Sequence, residues 1–330
     1  MLAVTGTTGR FGLLALTAVL ALTEGRADVV ALTRDPARAG ADPDRPDVPV
    51  RQADFARPDT LPSALAGVRR LLLVSTERSP RRLRLHEAAV EAAVAAGVEH
   101  VVYTSVVRAA DPGNPVPEAA DHRRTELLLA GSGLPHTVLR FNVWPQMLLL
   151  TGLARLAVAH GELPSSAADG RVGYITREDT AWAAARVLTE AAPAGAGSVA
   201  ARGGTALDGT GAGGTGAGGT GAGGADGTRT VLDVTGPGLT DADVAAALAE
   251  ATGRPVRHRP VADADVHGAL TALGVPAPLA AGWGENDAFR RRGWFDVPDD
   301  GTTRRLLGRA PVTLTGFFAA HRAELLAQSP

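Results

Sequence analysis

Leu2 to Thr5 read as a short buried strand, and Phe11 to Leu22 follow as an apolar run long enough for a helix. Gly25 stands where that helix would be capped. The strand pattern returns at Val29–Thr33, Val48–Ala53, Arg70–Ser75, Glu99–Thr104 and His136–Arg140. Helix-length stretches separate these runs: Thr60–Ala66, Leu83–Ala96 stopped by Gly97, and Glu118–Ala130. After the sixth strand comes Gln146–Ala159, a strongly apolar helix. Leu71, Leu72, Leu73 and Val74 stand in a row, as in a strand buried on both faces. Strand and helix alternating in this way predict an α/β fold, a doubly wound parallel sheet with helices on both faces.

Downstream, Gly170 to Ile175 reads as a short strand. Thr176 caps a helix running through Leu188, and Asp179 three residues on gives a capping box with Asp in place of Glu. Composition then changes abruptly. Ala191 to Thr228 is Ala, Gly and Thr, with Gly-Thr-Gly-Ala-Gly repeated in tandem from Gly209. Such a stretch cannot bury enough apolar area to offset its ordering entropy, and it reads as a flexible, disordered insertion. A phosphate-binding loop would need a strand in front of it. Order resumes at Val231–Thr235. It continues through the helix Thr240–Thr252 capped by Thr240, the strand Val256–Arg259, and helices over Asp263–Leu273, Pro276–Arg292, Thr302–Leu307 and Thr313–Ala327. The expected division is a nucleotide domain over 1–160, a small C-terminal α/β lobe over 161–190 and 229–330, and the insertion at 191–228.

Composition narrows the chemistry. A chain of 330 residues can bury a large core. Its formal net charge of −2 gives no electrostatic case for nucleic acid or an anionic membrane. Cysteine is absent, which excludes disulfides and thiolate chemistry and suits the cytoplasm. All 33 Lys and Arg side chains are arginine, so the chain supplies no Schiff base and no catalytic lysine. Arg10 and the apolar run after it could pass for a signal peptide, but glycines precede the run and a strand follows it. No apolar run approaches the roughly 20 residues of a membrane span.

Gly6, Gly9 and Gly12 punctuate the turn between the first strand and helix. In a Rossmann-type unit Gly6 allows the tight turn, Gly9 leaves room for a pyrophosphate, and Gly12 lets the helix lie close on the strand. The helix N-terminus then offers free N–H groups to phosphate. Thr7, Thr8, Arg10 and Phe11 complete this turn. Arg34 ends the second strand where an acidic residue would hold the ribose of NAD, so NADP(H) is preferred over NAD(H). The alternative is a surface pairing of Arg34 with Asp35. Asp54 ends the third strand, where its carboxylate can accept from the adenine amino group or cap the next helix. Ser75, Thr76 and Glu77 leave the fourth strand at the edge facing the ligand, unless they simply cap a helix. Arg140 and Asn142 follow the sixth strand on the nicotinamide or substrate side. Tyr103 has Val107 four residues later, where short-chain dehydrogenases place a lysine.

The chain resembles the NmrA-like, atypical short-chain dehydrogenases, most of all the NAD(P)H:quinone oxidoreductases of that group. The likeness rests on Val4-Thr5-Gly6-Thr7-Thr8-Gly9-Arg10-Phe11-Gly12, Leu32-Thr33-Arg34-Asp35-Pro36, Tyr103-Thr104-Ser105, the helix with His122 and Thr125-Glu126, and Arg177-Glu178-Asp179. It covers nearly the whole chain except Ala191–Thr228. The resemblance implies NADPH and substrate in a cleft between a Rossmann domain and a small lobe. It implies cofactor contacts at Thr7 to Gly12, Arg34, Ser75, Thr76 and the segment after Leu139. Relatives of the isoflavone-reductase branch carry a lysine that is missing here.

The expected reaction is NADPH-dependent reduction of a quinone or similar conjugated carbonyl. Asn142 and Tyr103 are the expected hydrogen-bond donors to the oxygen that becomes anionic, with Tyr174 a weaker candidate. His122 could relay a proton or simply pack. The rival function is a cofactor-sensing regulator that binds NADP(H) without turnover. A sugar-nucleotide epimerase would want the missing Tyr–Lys pair. No metal site is expected, the partner is a quinone-like small molecule, and the protein is a monomer or homodimer.

Overall fold

The computed structural model describes residues 1–40, 46–190 and 229–327. Chain order is β1 (Leu2–Val4), α1 (Arg10–Leu22), β2 (Val29–Thr33), α2 (Pro36–Gly40), β3 (Val50–Gln52), a 3₁₀ turn at Pro58–Thr60, α3 (Leu61–Leu65), β4 (Arg70–Leu73), α4 (Arg82–Ala95), β5 (His100–Val106), α5 (Pro117–Gly131) and β6 (His136–Phe141). Then come α6 (Gln146–Leu150), α7 (Leu153–His160), β7 (Glu162–Ser165), β8 (Val172–Gly173), α8 (Arg177–Thr189), β9 (Arg229–Val234), β10 (Gly238–Leu239), α9 (Asp241–Thr252) and β11 (Arg257–Pro260). The chain closes with α10 (Asp263–Ala272), α11 (Ala277–Arg291), α12 (Thr302–Leu307), α13 (Leu314–Ala320) and α14 (Arg322–Leu326).

The main sheet has seven parallel strands in the order β3-β2-β1-β4-β5-β6-β9. The order reverses between β1 and β4, so a crevice opens there at the C-terminal ends of the strands. One face is covered by α1 and α8, whose Phe11, Leu16, Val19, Ala184 and Leu188 pack on Val4, Leu72 and Val102. The other face carries α3, α4 and α5 over Leu32, Leu71, Leu73 and Tyr103. A third core, built on Leu153, Leu163, Leu248, Leu270 and Phe318, belongs to the lobe.

Several expectations change. The helix expected over Gln146–Ala159 is two helices, α6 and α7, because Gly152 takes a left-handed φ of +76° and breaks it. The last helix likewise divides at His321. The strand β7 had no sequence counterpart; it pairs with β11 in the lobe. A domain division at residue 160 does not follow the layers. Both α8 and β9 belong to the main sheet unit, where β9 runs in register with β6 from His136↔Arg229 to Phe141↔Val234. The segment 191–228, expected as a disordered insertion, lies outside the described residues.

Candidate active site

The glycine turn is built by backbone constraint. Gly6 takes φ +66°, the left-handed region that glycine tolerates without strain. A Cβ on Gly12 would stand 2.2 Å from Gly6 O, so only glycine lets α1 approach β1 this closely. Thr7 is buried and its hydroxyl donates to Leu32 O at 3.3 Å, while Thr8 Oγ1 meets Thr33 Oγ1 at 3.1 Å. These two side chains tie the turn to β2 and leave the backbone facing the crevice.

The first bond into α1 runs from Leu13 N–H to Gly9 O at 3.0 Å. The N–H groups of Arg10, Phe11 and Gly12 therefore have no helical partner, and no side chain caps the helix at Gly9. Close backbone approach, free amides and the helix dipole together fit the pyrophosphate of a dinucleotide. Arg34 is exposed at the end of β2 and forms no ion pair among the described residues; Asp35 instead caps Arg38 N at 3.1 Å. The Asp54 carboxylate accepts from Ala56 N at 3.0 Å and lies 3.5 Å from Arg57 Nε, so it closes the turn after β3 rather than capping the next helix.

Beyond Phe11 lies a cleft of about 440 Å³ over the C-terminal ends of β4, β5 and β6. Val74, Val106, Phe141, Trp144, Met147 and Phe295 make its walls largely apolar. Ser75 reaches it from the end of β4, where its N–H donates to Thr104 Oγ1 at 2.9 Å. Thr104 Oγ1 also donates to Ser75 Oγ at 3.3 Å, which leaves the Ser75 proton uncommitted. Ser105 differs, because its hydroxyl proton goes to Glu126 Oε1 at 2.7 Å.

Asn142 lines the cleft but is not a free donor. Both its amide protons are committed, to Thr235 Oγ1 at 3.0 Å and Phe295 O at 2.9 Å. It pins the end of β6 to the lobe. Tyr103 is removed from the cleft altogether: it is fully buried beneath the sheet, with its hydroxyl 2.9 Å from His122 Nδ1. Tyr174 is also buried, in the lobe core, where burial pushes its hydroxyl up to about 12. The Arg140 guanidinium closes a bidentate pair on Glu126, at 3.0 and 2.6 Å, and is not available to a cofactor. Thr76 turns its N–H to His86 Nε2 at 3.1 Å, so it contributes the shape of the β4–α4 loop. One cleft residue carried no signal in the sequence. Asn286 arrives on α11, and its amide has no hydrogen-bond partner among the described residues.

His122, in the cleft lining, and His86, behind it, are fixed as neutral rings. Arg82 has only protons to give, at 2.8 Å, so His122 Nε2 accepts and its Nδ1–H faces Tyr103. Thr76 N–H likewise makes His86 Nε2 an acceptor, and His86 Nδ1–H donates to Thr125 Oγ1 at 2.9 Å. Burial first, and the Arg82 charge second, push His86 down to about 4 and His122 well below its usual range. His122 therefore packs rather than relays. A histidine whose folded pKa is depressed takes up its proton more readily once unfolded. Stability is then full above about pH 6.5 and is lost as pH falls through the folded value near 4. Melting temperature is expected to drop steeply across that window, each such histidine adding a slope approaching about 1.4 kcal/mol per pH unit. Thermal melts of the wild type and His86→Gln test this: the variant should show a shallower slope, and a flat profile for both would refute it.

Known proteins share this arrangement. Residues 6–191 match the NAD(P)H-binding family. Quinone oxidoreductase 2 of Escherichia coli (strain K12) is 33% identical over 316 residues, spanning 95% of this chain and 96% of that one. NAD(P)H azoreductase of Xenophilus azovorans is 28% identical over 324 residues, 98% of each chain. The crystal structure of the Escherichia coli NADPH-dependent quinone oxidoreductase in complex with NADPH superposes with a TM-score of 0.75 at 31% identity, covering 97% of this chain and 99% of the other. Among the described residues, no helix is long and apolar enough to cross a membrane.

Proposed function

The chain belongs to the NAD(P)H-binding family and is an NAD(P)H-dependent oxidoreductase, and on that premise we propose that it spends NADPH on a quinone or a similar planar conjugated carbonyl. The observation that carries this reading is the cleft of about 440 Å³ just past the glycine turn, apolar on most of its walls, with Glu118 and His122 as the ionisable groups of its lining. NADPH, when bound, supplies the hydride. The protein's part is to orient the two partners and exclude water. Val106, Phe141, Trp144 and Phe295 form a slot for a flat ring. The Ser75 hydroxyl and the Asn286 amide are the donors left for an oxygen that gains charge. A quinone spreads that charge over its ring, so hydrogen bonds suffice and no strong acid is needed. The sealed state of Tyr103 is consistent with such a substrate.

NADPH oxidation against a panel of quinones tests the proposal. Turnover is expected, and Ser75→Ala and Asn286→Ala should each slow it about 5- to 10-fold, the worth of one hydrogen bond. Tight NADPH binding with no turnover of any acceptor would overturn it. Preference for NADPH rests on Arg34, which has no ion pair among the described residues and whose guanidinium would meet the 2′-phosphate. Arg34→Ala should weaken NADPH by about 1–3 kcal/mol and leave NADH unchanged. Equal losses for both coenzymes in titration calorimetry would contradict this.

A further inference from the structure

Arg177 is a nearly buried cation with no ion pair among the described residues. It opens α8, is 9% exposed, and its guanidinium makes no hydrogen bond or ion pair among the described residues. Its side-chain partner among the described residues is aromatic: the guanidinium carbon lies 4.7 Å above the Trp144 ring. Trp144 in turn stacks on Phe11 at 5.8 Å and 14°, and its Nε1 is anchored on Thr180 Oγ1 at 3.1 Å. Phe11 belongs to the first turn of α1. The stack therefore delivers a positive charge to the end of α1 where the Arg10, Phe11 and Gly12 amides are free.

Among the described residues, the one acidic charge felt at Arg177 is that of its chain neighbour Glu178, which forms no ion pair with it. Burial, opposed by Glu178, lowers the Arg177 pKa, and the Arg10 charge lowers it further, so two guanidiniums stand within range of each other. Glu178 is itself engaged, accepting from Gln146 Nε2 at 2.6 Å. Arg140 and Arg290 show the other solution, with Glu126 beside the first and Asp241 and Asp287 beside the second, while buried Arg82 settles on the His122 ring. A buried cation without such a partner is costly unless an anion arrives.

We propose that Arg177, held flat on Trp144, is a second anchor for the dinucleotide's bridging phosphates, facing the α1 amides across them. The inference rests on the cofactor reading above and adds a residue to it. Arg34 and Arg177 then divide the cofactor between them: Arg34 reads the 2′-phosphate, and Arg177 holds what NADPH and NADH have in common. Trp144 links this anchor to the substrate cleft, because one ring forms the cleft wall and supports the guanidinium.

Titration calorimetry of the full chain separates the possibilities, with NADPH, NADH, ADP-ribose and adenosine 2′-monophosphate as probes. Arg177→Met is expected to weaken the first three by a common factor of about 10 to 100, the worth of a charged hydrogen bond or two. It should leave adenosine 2′-monophosphate, which lacks the bridging phosphates, unchanged. Arg177→Lys, which keeps the charge and is the fallback where the Met variant does not fold, should recover part of the loss and show the same ligand pattern. Unchanged affinities, or a loss confined to NADPH, would overturn the inference while leaving the cofactor reading intact. A wild type that binds neither coenzyme would instead sink the cofactor reading itself.

Discussion

Gly12→Ala is expected to cost the protein both stability and its coenzyme. The added Cβ would lie 2.2 Å from Gly6 O, 2.5 Å from Gly6 C and 2.9 Å from Thr5 O. All three atoms are backbone, and none can swing away as a side chain would. Gly6 is already committed to φ +66°, so the turn cannot relax in place. Relief comes only if α1 backs off from β1. That loosens Ala15, Leu16 and Val19, which are fully buried against the sheet. Overpacking of this kind costs about 3 kcal/mol, or roughly 6–12 °C in melting temperature for a chain of this size. The same displacement carries the free amides of α1 away from the phosphates, so NADPH affinity should fall more than about 100-fold. Gly25→Ala is the control. A φ of +67° would strain an alanine there, but an added Cβ would meet nothing within 4 Å, so the change should cost about 1 kcal/mol and leave NADPH binding alone. A Gly12→Ala protein that melts and binds like the wild type would refute the account.

This turn was legible in the sequence because its logic is local. The residues that need each other, Thr5, Gly6 and Gly12, lie within one strand-to-helix connection. The alternating strands and helices were legible for the same reason. The donors were not. Tyr103 and Asn142 read in the sequence as strand-end residues, where a catalytic group belongs, and their chemistry is suitable, yet β5 runs on to Val106 and leaves Tyr103 in mid-strand. What decides their role is who meets them in space. His122 takes the Tyr103 hydroxyl from 19 residues away, and Thr235 and Phe295 take the Asn142 amide from 93 and 153 residues away. Arg140 is claimed by Glu126 on the neighbouring helix in the same way. Asn286 shows the converse. A lone amide in an amphipathic helix carries no signal until the lobe folds α11 over the sheet edge. Strand β9 likewise joins the sheet by pairing with β6, a partner that lies on the far side of residues 191–228.

Arg290→Met is expected to unfold the lobe more severely than its conservative shape suggests, and to do so as a function of pH. Arg290 is 3% exposed and sits between Asp241 at 2.5 Å and Asp287 at 3.2 Å. Ser165 donates to the other Asp241 oxygen, and Ser166 N donates to Asp287 Oδ2 at 2.8 Å. One guanidinium thus joins α9, α11 and the end of β7. Its removal strands two buried carboxylates, a loss of about 3–5 kcal/mol. Burial already holds the Asp287 pKa above the usual carboxylate range, with the Arg290 charge opposing it. Without that charge the folded pKa rises further. A carboxyl whose folded pKa is raised favours the folded state below its unfolded value near 4, and that contribution is lost as pH climbs. The variant should therefore approach the wild type at acidic pH and fall away above it. Asp241→Asn and Asp287→Asn added to Arg290→Met should flatten this dependence and recover part of the stability. Because Asn286 lies next to Asp287 on α11, quinone turnover should fail together with the lobe. NADPH affinity, seated on α1, should persist at temperatures where turnover is gone, and parallel melts and calorimetry from pH 4 to 8 would expose any other pattern.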